Sequence, residues 1–113
     1  MEIIKCTCET PCTYSPNWDV LMEGVDETEG RFGDVSVRRC SECGKLWLCY
    51  HVEYEAFTKS GRWFRCLITE NELKHIKPEN AVDVIGRSEW YFRGGSYFNG
   101  EATFANGKPH VGL

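Results

Sequence analysis

Seven cysteines carry the strongest chemical signal in the sequence: Cys6, Cys8 and Cys12 near the amino end, Cys40 and Cys43 further on, and then Cys49 and Cys66. Zinc takes four ligands in a tetrahedron with each sulfur at roughly 2.3 Å, and a Cys-x-x-Cys turn lets two thiolates converge while backbone amides point at them. Cys40-Ser41-Glu42-Cys43-Gly44 meets that need, and the glycine allows the tight backbone such a turn requires. The upstream cysteines supply the other half of a site. Cys6 and Cys8 are favoured, since an opening strand at Ile3-Ile4 would deliver them; Cys8 and Cys12, with Pro11 shaping the turn, are the competing pair. The spacing predicts one structural Zn2+ held by Cys6, Cys8, Cys40 and Cys43.

A redox role for Cys40 and Cys43 fits less well, because a strand pattern follows them where a thiol-activating helix would be needed. Cys49 and Cys66 read as small buried hydrophobes. If His51 shares a strand face with Cys49 and Cys66 lies on the next strand, the three could also form a second metal site, although a buried, hydrogen-bonded histidine is the commoner outcome. His75 and His110 have no spaced ligand partner. Gly94-Gly95-Ser96 could nest an anion, but it lacks the Lys-Thr or helix of a phosphate loop and reads as a turn. No Ser-His-acid set, nucleophile elbow or paired-carboxylate motif stands out, so the chain reads as a binding protein and not an enzyme, with no small-molecule substrate expected.

Arg38, Arg39, Lys45, Arg62 and Arg65 lie among Trp47, Tyr50, Trp63 and Phe64 in the sequence, the mixture of cations and stacking surfaces that single-stranded nucleic acid uses. The formal charge of −4 opposes phosphate binding, and alternation along a strand sends about half of these aromatics into a core. A protein partner is therefore preferred, as for an adaptor or an immunity-type inhibitor, with nucleic-acid binding as the alternative.

The knuckle at 40–44, with Trp47 three residues after its glycine, resembles that of zinc-ribbon proteins. The resemblance implies a metal-pinned β-sheet used for binding, with Cys40 and Cys43 as ligands. Cys6-Thr7-Cys8 departs from the usual Cys-x-x-Cys spacing of such proteins.

The elements that must position these residues are those of one domain spanning 1–113, a length that buries about two-thirds of its unfolded surface. Hydrophobic residues make up 42% and charged residues 27%, values that place the chain among globular proteins. The amino end has no signal-like apolar run and no stretch approaches a membrane span, so a cytoplasmic protein is expected. An odd cysteine count there favours metal over disulfides.

Trp18 to Met22 suggests a short strand, and Gly24–Gly33, with Asp26, Glu27 and Glu29, suggests an exposed acidic loop. From Asp34 to Cys40 a period of two predicts a strand. Beyond the knuckle, Leu46, Leu48, Tyr50, Val52 and Tyr54 alternate with Trp47, Cys49, His51, Glu53 and Glu55. A turn at 58–61 returns Arg62 to Ile68 as the second arm of a hairpin. Thr69 and Glu72 form a capping-box pattern for a helix from Glu70 to about Ile76, and Pro78 opens another ending near Gly86. The aromatic, glycine-rich remainder has Asn106-Gly107 to close a final hairpin. The expected fold is α+β: a zinc-pinned antiparallel meander with two short helices and a glycine/aromatic-rich C-terminal segment.

Overall fold

The computed structural model describes residues 18–41, 44–53, 60–99 and 102–109. Six strands form one antiparallel sheet in sequence order: β1 (Trp18–Asp26), β2 (Gly33–Cys40), β3 (Leu46–Val52), β4 (Arg62–Ile68), β5 (Tyr91–Gly94) and β6 (Thr103–Ala105). Between β4 and β5 lie α1 (Glu70–Leu73), a 3-10 turn (Pro78–Asn80) and α2 (Ala81–Arg87). The mixed α+β meander with two short helices is as the sequence predicts. The expected Ile3-Ile4 strand lies outside the described residues.

Side-chain alternation gives the sheet two different faces. On the first, Val35 and Val37 of β2, Leu46, Leu48, Tyr50 and Val52 of β3, and Phe64, Cys66 and Ile68 of β4 are buried against Ala81, Val82 and Ile85 of α2. A seven-residue helix is too short to persist alone, so α2 depends on that burial. Val82 and Ile85 together contribute about 3–6 kcal/mol of apolar transfer. Thr69 caps α1 as expected, with the Glu72 amide donating to Thr69 Oγ1 at 3.1 Å and the Thr69 amide to Glu72 Oε1 at 2.9 Å. The helix itself stops at Leu73, short of the predicted Ile76, and buries none of its residues. With no apolar face to dock, the capping box sustains only one turn.

Two expectations are corrected. First, the stretch predicted to be a loop from Gly24 is strand as far as Asp26, and Asp26 is fully buried. Its carboxylate accepts from the Tyr50 hydroxyl at 2.8 Å and the Thr28 amide at 3.0 Å, and Arg31 Nε lies 3.4 Å away. A charge that reads as solvated in the sequence is thus a buried acceptor with three donors around it. Burial would raise the Asp26 pKa, but the hydrogen bonds from Thr28 and Tyr50 and the Arg31 charge outweigh it and hold the group below its ordinary value. Second, among the described residues Asn106-Gly107 closes no hairpin. Tyr91 pairs with Ala105, so the β5–β6 connection is 95–102, containing a 3-10 turn at Ser96–Phe98, and Asn106-Gly107 follows the last strand.

A bulge between Val20 and Met22 decides what β1 offers to each face. Trp18 and Val20 pair with Cys40 and Arg38 and share their face; after the bulge Met22 turns to the core beside Val37, and Glu23 takes the second face opposite Ser36. Among the described residues no helix is long and apolar enough to cross a membrane.

Candidate functional site: the cysteine knuckle and the open sheet face

Cys40 ends β2 and Leu46 begins β3, so the predicted knuckle is the hairpin turn between them. The Cys40 amide donates to the Lys45 carbonyl at 2.9 Å and the Gly44 amide to the Cys40 carbonyl at 2.8 Å. Gly44 has φ +79° with open space where a Cβ would stand, so glycine serves here for its backbone conformation alone. Arg39 braces the turn, donating from Nη1 to the Gly44 carbonyl at 3.2 Å and from Nη2 to Glu70 Oε1 at 2.7 Å. Cys40 is completely buried. The other predicted ligands, Cys6, Cys8 and Cys43, and the competing Cys12, lie outside the described residues. Among the described residues no group of three or more His, Cys, Asp or Glu side chains could hold a metal.

What surrounds Cys40 bears on whether a thiolate fits there. Trp47 packs with Cys40 and Phe92 in a small cluster, and Trp18 stands opposite Cys40 in the β1–β2 register. Both indole Nε1–H groups are buried and have no hydrogen-bond partner among the described residues. A buried donor without an acceptor is costly, and a metal-bound thiolate is a suitable acceptor for such second-sphere contacts. Trp18 pairs with Cys40, and the six-residue and ten-residue steps from Cys12 and Cys8 to Trp18 can span up to ~20 and ~35 Å. Both cysteines are within reach of Cys40.

The possible second metal set does not assemble. Cys49 and His51 share the second face, but Cys66 pairs with Leu48 and points to the first, into the core. The period of two that unites the first pair excludes the third residue. Burial pushes the Cys49 thiol up to about 11, against the opposing influence of Arg38 and Arg65, and pushes Cys66 up to about 12. Both are thiols at neutral pH. His51 instead has its Nδ1 4.0 Å from Asp34 Oδ2, and both side chains are exposed.

The five basic residues do not form a stripe either. Arg62 is 1% exposed, with its guanidinium 4.2 Å from the Tyr97 ring centre. Arg39 is committed to Glu70 and the knuckle, and Tyr50 and Phe64 are core residues of the first face. Arg65, 5% exposed, stands among four aromatic rings: Phe92 at 5.1 Å, Trp47 and Trp63 at 5.3 Å and Trp18 at 5.5 Å. Arg38 lies 5.7 Å from Trp18 and donates from Nε to Ser36 Oγ at 2.9 Å.

All four tryptophans of the chain gather on this second face, Trp18, Trp63 and Trp90 packing around the Cys40, Trp47 and Phe92 cluster. Gly94 is what lets Trp63 lie flat, because a Cβ there would meet the indole at 2.6 Å. Gly95, at φ +114°, passes close to the Gly61 carbonyl, and Ser96 Oγ accepts from the Gly61 amide at 3.2 Å, so Gly94-Gly95-Ser96 is a packed turn as predicted. Beside the tryptophans runs a groove of about 550 Å³. Arg38 and Trp18 line it toward the knuckle, Glu23, Ser36, Cys49 and Arg65 share its middle rung, and Asp34, His51 and Trp63 line it toward the other end. Its volume falls in the range of ligand sites.

Residue type and spacing alone do not mark Trp18, Glu23, Asp34 or Ser36 as site residues. Alternation within β2 places Asp34, Ser36 and Arg38 on one face, and that signal was available. Bringing Trp18 and Glu23 to them required the β1 bulge, which leaves no mark in the residue pattern. The chain matches no protein-family model, no curated protein and no solved structure.

Proposed function

We propose that the chain is a small zinc-stabilised protein-interaction module of the cytoplasm, which engages its partner across the open face of the sheet. In this reading Cys40 and Cys43 of the knuckle hold a structural Zn2+ together with Cys6 and Cys8, or with Cys12 in place of one of them. The metal fixes the knuckle end of the face; it takes no part in chemistry. The buried indole donors around Cys40 and the position of Trp18 opposite it support the metal site. The role is binding, not catalysis.

The observation that carries the reading is a groove lined by Trp18, Trp63, Arg38 and Arg65, beside the Trp47 and Phe92 cluster, on the face that the helices leave bare. Tryptophan and arginine are the residues most enriched at the energetic centres of protein interfaces. The nucleic-acid alternative has Arg38 stacked near Trp18 in its favour. It needs a run of cations along a backbone track, whereas Arg39 and Arg62 are committed elsewhere, Arg65 is buried among four rings, and Glu23 and Asp34 line the same groove.

Affinity capture from the native host, with and without nuclease, tests the function. A protein partner retained after nuclease and lost on Trp63→Asp agrees with it. Capture abolished by nuclease contradicts it and supports the nucleic-acid alternative.

A further inference from the structure

β1 is nine residues long and forms one edge of the sheet, with β2 as its only strand neighbour among the described residues. The opposite edge, β6, has three residues, a length that offers little to pair with. Along an edge strand every second residue turns its amide and carbonyl away from the sheet. The β1 edge is also where the chain exposes apolar side chains: of the six large exposed hydrophobic residues described, Val20, Leu21 and Val25 lie on β1 and Phe32 stands just before β2. Charge is concentrated in the same stretch. Residues 18–34 contain six acids, Asp19, Glu23, Asp26, Glu27, Glu29 and Asp34, and one base, Arg31, which lies 3.4 Å from the buried Asp26. That excess of five exceeds the −4 of the whole chain. Charge alone would guard an edge against pairing, but exposed valine and leucine between the acids do the opposite.

We infer that the β1 edge takes up an extended basic segment of the partner protein as an added strand of the sheet. This deepens, and rests on, the protein-interaction reading above, since the edge borders the open face at Trp18 and Glu23. The bulge at Leu21 leaves residues 22–26 as the regular track. There Glu23 and Val25 turn to the second face, opposite Ser36 and Asp34, and the exposed Glu27 follows two residues on. A strand laid beside them at about 4.8 Å puts a lysine or arginine against Glu23 and Glu27 and an apolar side chain against Val25. On the first face Pro78 packs onto Gly24, where a Cβ would meet it at 2.5 Å, so the longer side chains of the added strand lie toward the second face. A second copy of the chain fits less well: β1 itself carries no base, so two copies would bring acids to one seam, and like charges across a strand pair are destabilising.

The test is an NMR titration of the full 15N-labelled chain with Ac-Thr-Lys-Thr-Val-Thr-Lys-Thr-NH2, with amide hydrogen exchange read at saturation. The expected result is saturable shifts along residues 22–26 and slowed exchange of the β1 amides that do not bond to β2. Replacing each lysine of the peptide by glutamine weakens binding about two- to fivefold, the range of an exposed cross-strand pair, and replacing both by glutamate abolishes it. Glu23→Gln, checked for a native spectrum, reduces the preference for lysine over glutamine. Shifts without slowed exchange report attraction of charge alone and overturn strand addition. Equal binding of the glutamine peptide overturns the basic character of the partner, and shifts confined to Trp63 and His51 overturn the edge as the site; both leave the protein-interaction reading standing. A concentration-dependent dimer that slows the same amides without peptide makes a second copy the occupant and overturns the basic strand. No shift with any of the peptides overturns the proposal, and octathymidylate shifting the open face where the peptides do not overturns the protein-interaction reading with it.

Discussion

Gly33→Ala gives a direct measure of how tightly the buried Asp26–Tyr50 pair is built. Gly33 pairs with Asp26 across the β1–β2 ladder, and the Tyr50 ring lies over it to reach the Asp26 carboxylate. A Cβ at residue 33 would come within 3.0 Å of Tyr50 Cζ, Cε1 and Oη, an approach that real side chains do not make. The ring cannot simply step aside: Tyr50 is fully buried and its hydroxyl is fixed to Asp26 at 2.8 Å. Overpacking a close-packed site costs about 1–3 kcal/mol, and a hydrogen bond lost from a buried carboxylate adds about 1–3 kcal/mol. The combined expectation is about 2–6 kcal/mol, read from urea denaturation at neutral pH. Gly30→Ala is the control: Gly30 has φ +70° but nothing near its missing Cβ, so only the backbone cost of about 1 kcal/mol applies. Equal losses in the two variants, or a Gly33→Ala protein within 0.5 kcal/mol of wild type, would refute the steric argument.

Three further outcomes follow from the same structure. Asp26 has its pKa held below the ordinary value of about 3.9 when folded, so its contribution is complete above that pH and is lost as pH falls through the folded pKa; Asp26→Asn should be less stable at pH 7 and should lack this acid-side loss in pH-dependent melts. Cys66→Ala, a change within the core, should cost about 1–3 kcal/mol in denaturant melts, whereas Cys40→Ser should unfold the protein or destabilise it far more if, as proposed, Cys40 is a metal ligand; equal small losses would erase the proposed distinction between filler and ligand. Anisotropy titration with short mixed-sequence oligonucleotides should show no binding tighter than about 10 μM at physiological salt, and a sub-micromolar affinity that falls steeply with salt and is lost in Arg38→Ala/Arg39→Ala would favour the nucleic-acid alternative.

Local patterns were legible in the sequence wherever one short rule governs the outcome. The alternation from Leu46 to Val52 correctly assigns the two faces of β3, Thr69 and Glu72 form the predicted cap, and Pro78 opens the segment leading into α2. Features that depend on distant contacts were not legible. Asp26 looks like one more acid in a polar stretch until Tyr50, 24 residues later, is placed over it. Arg65 reads as a surface cation beside tryptophans, yet the sheet closes four rings around it from β1, β3, β4 and β5. The open face was half visible, since alternation in β2 and β3 predicts its rows. Its edge depends on a bulge at Leu21 that turns Trp18 and Glu23 toward it.

The claim on which the module's architecture rests is that the knuckle at Cys40 and Cys43 is closed by metal, and elemental analysis of protein purified without added metal tests it most directly. The account predicts one zinc per folded chain, with Cys40 and Cys43 protected from thiol reagents until a chelator is added. Folded protein free of zinc, with four of the five clustered cysteines titrating as ordinary thiols, would contradict it.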